Sequence, residues 1–367
     1  MKTMRPIPSP VLKSPRRAAG FTIIELMVGM LVGLLATIVM FQVFAVSEGQ
    51  KRTTTGAGDA QQNGVGSVYV LEREARMAGF GLSYGKGLGC SIAGENNGIP
   101  ISFTMTPYTI VDGPAGSPDV LTLAFGDTRS FASPQKLSAN ATPGGVIKVY
   151  NRFGLSKGDL FVLASTTQPG CTLYQVKDLP GSDSIDASKG SFTDANGVTR
   201  DTTYNKAGGN TTMTYDKWDI AKGRGTRILN IGQRPTVVTY SLVGSQLVMN
   251  DILNPGTSVV VSDGIVQFQV QYGLDDGSWA DSLASPTNAV WGTVIGIRFA
   301  IVSRSATPER PDPATGVCTT TTVGPKWQAT GRILDVSANP DWKCYRYRVF
   351  EVTVPARNLI WHPNEDA

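Results

Sequence analysis

The sequence predicts an α+β protein: a long amino-terminal helix, membrane-spanning in its first half, packed on an antiparallel β-sheet domain. Three observations carry this expectation. No charged residue occurs from Leu26 to Val46, about the 20 residues that an α-helix needs to cross a bilayer. Helical spacing then resumes and continues to about residue 78. From residue 100 onward, short β-type runs alternate with Gly, Pro, Asn and Asp turns.

The stretch before the apolar run, MKTMRPIPSPVLKSPRRAAG, holds Lys2, Arg5, Lys13, Arg16 and Arg17 and no acid. By the positive-inside rule this end stays in the cytoplasm and everything after residue 46 is exported. Ala45-Val46-Ser47 offers a small-residue site of the secretory kind behind the run. A second junction, Gly20-Phe21, sits in front of it, with Glu25 as the fifth residue after the cut. A charge at the centre of a membrane helix costs roughly 2.5–3.5 kcal/mol. Near its end the cost is smaller, yet a retained carboxylate still calls for a partner. Gly29 and Gly33 form a G-x-x-x-G whose spacing lets helix backbones approach closely.

Gly20, Phe21, Thr22 and Glu25 resemble the class III leader of type IV prepilins and pseudopilins, G↓F-T-x-x-E. The resemblance implies that the membrane-embedded prepilin peptidase cuts after Gly20 and methylates the new amino terminus at Phe21. It also implies that Glu25 pairs with the Phe21 ammonium of a neighbouring subunit during assembly. A paired charge out of water costs far less than an unpaired one. Removing the leader changes the charge balance. The whole chain has 33 Lys+Arg against 29 Asp+Glu, and without the five leader cations 28 stand against 29. The basic balance is therefore a topology signal and gives no support for nucleic-acid binding.

The next segment, VGSVYVLEREARMAGFG, sets Val68, Leu71, Ala75 and Ala78 at helical spacing, with Glu72 four residues before Arg76. Gly79 and Gly81 end it. Between the two helical pieces lies a Thr/Gly-rich stretch poor in helix formers. No proline occurs from Phe21 to Ala78, so one locally weak helix is expected, with any flexibility at Gly56, Gly58, Gly64 and Gly66. The organisation read here is leader 1–20, spanning helix 21–46, exported continuation 47–80 and β-rich domain 81–367.

Strands are expected at DVLTLAF, GVIKVY, DLFVLAS, TLYQVKDL, TRILNIG, TVVTYSLVG, SQLVMND, TSVVVSDGIVQFQVQYGL, VIGIRFAIVSRS and YRYRVFEVTVPARN. The polar, Gly/Thr-rich stretch beginning at residue 181 and reaching about 235 reads as a long variable loop or small surface subdomain. Residues 262–277, 294–305 and 345–358 resemble the closing strands of PilW-type minor pilins. That resemblance implies a low-abundance pilin helping to initiate a type IV pilus near its tip. Its partners would be prepilin peptidase, other minor and major pilins, a tip adhesin and the inner-membrane assembly platform; its tasks would be twitching motility, adhesion or DNA uptake. A J-type minor pseudopilin of a type II secretion system shares this logic but is usually shorter. A membrane-anchored exported enzyme is the distant alternative.

Cys90, Cys171, Cys318 and Cys344 lie in the exported part without the close spacing of a zinc or redox motif. Four cysteines allow three connectivities. Sequential pairing, Cys90–Cys171 and Cys318–Cys344, closes two moderate loops and is the favoured set in an oxidising compartment. Catalytic residues are not expected. The single histidine, His362, argues against serine–histidine, cysteine–histidine and histidine-metal sites, and no acidic pair stands out for glycosidic chemistry. GFGLSYGKGLG imitates a phosphate loop, but it lacks G-K-[ST] and follows a helix. No cofactor or metal is expected beyond calcium at two acidic turns, Asp194-Ala-Asn196-Gly197 and Asp275-Asp276-Gly277 with Asp281. Neither has EF-hand spacing, and both contain favoured hairpin dipeptides. Trp218, Trp279, Trp291 and Trp361 are candidate contact aromatics, with core packing the commoner role.

Overall fold

With no proline to interrupt it, the amino-terminal segment forms one 55-residue helix, α1 (Ile23–Met77). The computed structural model describes residues 20–82, 88–127, 134–167, 170–283 and 288–360, the side chains of 288, 289 and 360 excepted. The leader before Gly20, Trp361, His362 and the middle of GFGLSYGKGLG lie outside these residues. Residues up to Thr53 and residues from Thr54 onward form two compact units, taken separately here.

In the first unit, every side chain from Phe21 to Val46 is exposed. In the second, α1 buries Gly56, Ala60, Gly64, Ser67, Leu71 and Ala75, residues three or four apart on one helix face. Two glycines that the sequence offers as flexible points have a different role. A Cβ on Gly64 would lie 1.9 Å from Cε2 of Phe350, and one on Gly56 2.9 Å from Cβ of Ser305. Helix and sheet meet too closely there for any side chain. Gly58 and Gly66 face open space. The helix stops at Met77, next to the expected end near residue 78, and Gly79 and Gly81 turn the chain with positive φ.

The strands in order are β1 (Ser91–Asn96), β2 (Ile99–Thr104), β3 (Tyr108–Val111), β4 (Val120–Phe125), β5 (Gln135–Lys136), β6 (Val146–Lys148) and β7 (Leu160–Ser165). Next come β8 (Cys171–Gln175), β9 (Ser184–Asp186), β10 (Ser191–Thr193), β11 (Thr199–Asp201), β12 (Thr226–Gly232) and β13 (Thr236–Val243). The last are β14 (Gln246–Asp251), β15 (Ser258–Asp263), β16 (Ile265–Leu274), β17 (Trp279–Ala280), β18 (Val294–Arg304) and β19 (Tyr347–Pro355), with short helices α2 (Asn288–Gly292) and α3 (Arg357–Ile360). They build a six-stranded sheet, β2-β1-β8-β7-β12-β5, a five-stranded sheet, β15-β14-β13-β4-β3, and a four-stranded sheet, β17-β16-β18-β19. Two small pairs, β10-β11 and β6-β9, complete the set. All pairings are antiparallel except β1 with β8.

Four apolar layers hold these sheets. The first joins Leu71 and Ala75 of α1, and Ala78 just past its end, to Leu121, Tyr240, Phe268 and Phe299, so the helix covers both the five- and the four-stranded sheets. Tyrosine hydroxyls anchor it: Tyr108 donates to the Ala75 carbonyl at 2.9 Å, and Tyr240 donates to the Glu74 carboxylate. Desolvation raises both phenols above their ordinary pKa, so each stays a donor. The six-stranded sheet is buried on both faces: Leu160 and Val162 of β7 point to one layer, Phe161 and Leu163 to the other. The stretch from 181 read as a long loop or small surface subdomain therefore holds three short strands, β9, β10 and β11, ahead of the expected β12, and contributes Ile185 and Tyr215 to this core. Its polar composition hid a few well-spaced anchors.

Both cysteine pairs are joined, Cys90 to Cys171 with Cα atoms 5.9 Å apart and Cys318 to Cys344 at 4.9 Å. The second closes the segment after β18, whose Trp327, Leu334 and Val336 pack on Ala300 and Val302, on the opposite face of β18 from the helix layer. Buried Asp119 ties the β3–β4 connection to β16. Its carboxylate accepts the Gly113 N–H at 2.9 Å, the Val270 N–H at 2.6 Å and the Gln269 amide at 3.3 Å. Desolvation pushes its pKa up to about 6 despite those donors.

Candidate functional site: the start of the first helix

The site begins with an exposed Gly20-Phe21 junction and a helix that starts two residues later. Thr22 is the residue just before α1 and Glu25 stands three positions on, the arrangement of a capping box. The Glu25 N–H donates to Thr22 Oγ1 at 3.3 Å, and Glu25 Oε2 accepts the Thr22 N–H at 3.0 Å. The Thr22 hydroxyl adds a contact to the same carboxylate oxygen at 3.1 Å. Two backbone donors that a helix start leaves unmet are thus satisfied inside one chain. The Glu25 carboxylate thus has hydrogen-bond donors within its own first turn, which the T-x-x-E spacing made legible in the sequence, and the charge pair with a neighbouring Phe21 ammonium is a separate expectation.

Further along, Gly29 and Gly33 are exposed with nothing within 4 Å of where a Cβ would stand. The Thr37 hydroxyl returns to the Gly33 carbonyl at 2.5 Å, so it presents no free donor. This glycine pair and the surrounding aliphatic side chains make an apolar surface that water does not favour. Such a helix can satisfy its backbone within itself and place its side chains in lipid or against similar helices.

The other sequence candidates sit elsewhere and serve the domain. Asp194 Oδ1 accepts the Asn196 and Val198 N–H groups, each at 2.9 Å, and Oδ2 accepts Arg200 Nε at 2.9 Å. Arg200 first, and then the backbone donors, hold its carboxyl below the usual range. Asp276 accepts the Ser278 N–H at 2.8 Å, and Asp281 accepts Gln271 Nε2 and Arg332 Nη1 at 2.8 and 2.9 Å. These carboxylates pin turns and loops. Among the described residues, no three His, Cys, Asp or Glu side chains gather as metal ligands. Trp218 is buried between Lys136 and Arg227, Trp291 packs on Tyr272, and Trp279 is half-buried under Arg298.

Two family models match the chain. Residues 15–41 match the prokaryotic N-terminal methylation motif, and residues 236–358 match type IV pilus-assembly protein W. The second spans β13 to β19, about a third of the chain. No curated protein matches. Among solved structures, a type IV-like pilin from Thermus thermophilus aligns at 10% identity over 80% of this chain and 92% of its own, with a TM-score of 0.32. At that score nothing is carried over from it. The methylation motif covers the capped helix start and the assembly-protein model covers the strands that close the fold, so in these two stretches the chain is similar to the N-terminal methylation motif and to type IV pilus-assembly protein W.

Proposed function

We propose that the protein is made as a prepilin, cut after Gly20, methylated on Phe21 and incorporated into a type IV pilus whose assembly it helps to initiate near the tip. It works as a structural subunit and not as a catalyst. The observation that carries this reading is the capped, wholly uncovered apolar helix directly behind the methylation motif. Before assembly the bilayer covers that surface; in the filament the helices of other pilins replace lipid. The leader cations hold the amino terminus in the cytoplasm and place the β-rich domain in the periplasm. In the assembled state Glu25 turns one of its oxygens to the Phe21 ammonium of a neighbour and sets axial register.

Intact-mass and peptide mass spectrometry of the protein from its native membrane test the pathway. A chain beginning at N-methylated Phe21 is expected. A start at Glu48 would mean ordinary signal-peptide cleavage, and a retained Met1 in a host with the peptidase would leave a simple anchor; either result overturns the reading. A pilus role further requires that antibody to the β domain label sheared pili. Recovery only with secretion-system components would favour the pseudopilin assignment instead.

A further inference from the structure

Ahead of the region matched to assembly protein W, the structure holds a polar cleft that none of the pilin features above uses. One lobe, about 200 Å³, is bordered by Arg200, Arg234 and Gln233. A second, about 290 Å³, is bordered by Asp127, Asp159 and again Gln233. Asp194 and Asn196 line both, so the β10–β11 turn belongs to the two lobes together.

The turn is held rigid by the three hydrogen bonds to Asp194, which fixes where Asn196 is presented. Among the described residues, Arg200 offers Nε to Asp194 and makes no further hydrogen bond, leaving the rest of its guanidinium open. Arg234 is exposed and, among the described residues, has no ion pair or hydrogen bond. Gln233 donates to the Lys157 carbonyl at 3.0 Å and keeps its oxygen as an acceptor. A guanidinium presents a planar fork that matches a carboxylate. A carboxylate oxygen has more than one lone pair, so Asp159, which already accepts the Ser156 N–H and the Asn230 amide, and the neighbouring aspartates can also accept hydroxyl donors. Three carboxylates disfavour a ligand with many negative charges, such as a nucleic acid. The mostly polar lining, with Phe192 in the first lobe, offers little to the apolar side chains of a peptide.

We propose that this cleft binds an acidic saccharide: a uronate carboxylate on Arg234 and Arg200, and the hydroxyls of the adjoining ring in the aspartate lobe. The inference does not depend on the pilus reading, because the cleft lies in residues outside both family matches.

The test is calorimetric titration of the full-length protein in detergent with digalacturonate and dimannuronate, each against its neutral disaccharide. At least one diuronate is expected to bind tenfold or more tightly than its neutral counterpart. Arg234→Ala should weaken that binding at least tenfold, Arg234→Lys should weaken it less, and Arg224→Ala, on the same segment but outside the cleft, should leave it unchanged. All of these residues are exposed, and an unchanged far-UV spectrum checks folding. The proposal is overturned if neither diuronate saturates, if neutral and acidic sugars bind alike, if Arg234→Ala binds as the parent does, or if a zwitterionic dipeptide outcompetes both sugars.

Discussion

Glycines of the same helix should respond to alanine with opposite signs. Alanine in a helix interior is favoured over glycine by about 1 kcal/mol, so Gly58→Ala and Gly66→Ala, which meet open space, should each stabilise the isolated protein by about that amount. Gly64→Ala gains the same propensity but sets a methyl 1.9 Å from Cε2, 2.4 Å from Cδ2 and 2.6 Å from Cζ of Phe350. Carbon atoms in contact sit about 3.5–4.0 Å apart, so ring or helix must yield by more than an ångström. Phe350 is in the middle of β19, paired with Ile301 of β18, and two turns earlier the same helix face is seated closely by the approach of Gly56 to Ser305. Overpacking of this kind costs roughly 1–3 kcal/mol, and with both neighbours fixed its upper half applies. The net expectation is a loss of about 1–2 kcal/mol. Urea unfolding of the full-length protein in detergent, followed by tryptophan fluorescence, measures it. In the Gly64→Ala background, Phe350→Ala should cost less than it does alone, because the clash has gone. If Gly64→Ala raises the midpoint as Gly66→Ala does, the close-approach reasoning is wrong.

Three further outcomes are expected. Glu25→Gln keeps an acceptor for the Thr22 N–H but loses the charge, whereas Glu25→Ala loses both and should fray the helix start. If charge pairing drives assembly, both variants are cleaved normally and both fail to enter pili; normal incorporation of Glu25→Gln would reduce the residue to a cap. Asp119 has a folded pKa of about 6 against an ordinary 3.8, so the native state binds its proton more tightly than the unfolded chain. Its contribution is then fully present below pH 3.8 and is lost as pH rises through 6, by roughly 3 kcal/mol at most. Relative to Asp119→Ala, the parent should lose stability between pH 4 and pH 7; a constant difference in urea midpoint over that range would refute this. Replacing Cys318 and Cys344 together by serine releases a 26-residue separation and should cost about 3.5 kcal/mol on the chain-entropy account, with proteolysis appearing first in residues 305–343.

What could be read from the residues alone depended on how local the physics is. The apolar run and the strands from β12 to β19 announce themselves through composition and alternation within a few residues. β1 and β2 carry Gly, Pro, Asn and Ser among their apolar positions and escaped notice, β3 is only the four residues Tyr108–Val111, too short for a periodic signal, and the parallel register of β1 with β8 is set by chain folding far from either strand. Gly56, Ala60 and Gly64 recur every fourth residue, a pattern that indicates close packing as readily as weakness. What decides between them is the approach of Phe350 in β19 and Ser305 just past β18, both more than 200 residues further along the chain. Glu25 shows the reverse case, with the cap written in adjacent letters and overlooked because the charge drew the reading. The cleft could not be seen at all, since Arg200, Arg234 and Asp127 come together only once β10, β11 and β12 have formed.

The Asn358 side chain donates to the Met77 and Ala78 carbonyls at 3.1 and 2.9 Å, and so caps the end of α1 across 281 and 280 positions of sequence. The last turn of the earliest-made helix therefore waits for residues translated long after it. Until those residues have been made and docked, the Ala78 carbonyl lacks this donor, while Met77 keeps only the Phe80 N–H at 3.1 Å, and the turn is less firmly held. An unfinished chain is thus distinguishable by its helix from a finished one. Contacts of such long range form late in folding, and this one makes the second half of the helix a reporter of whether the whole domain has closed.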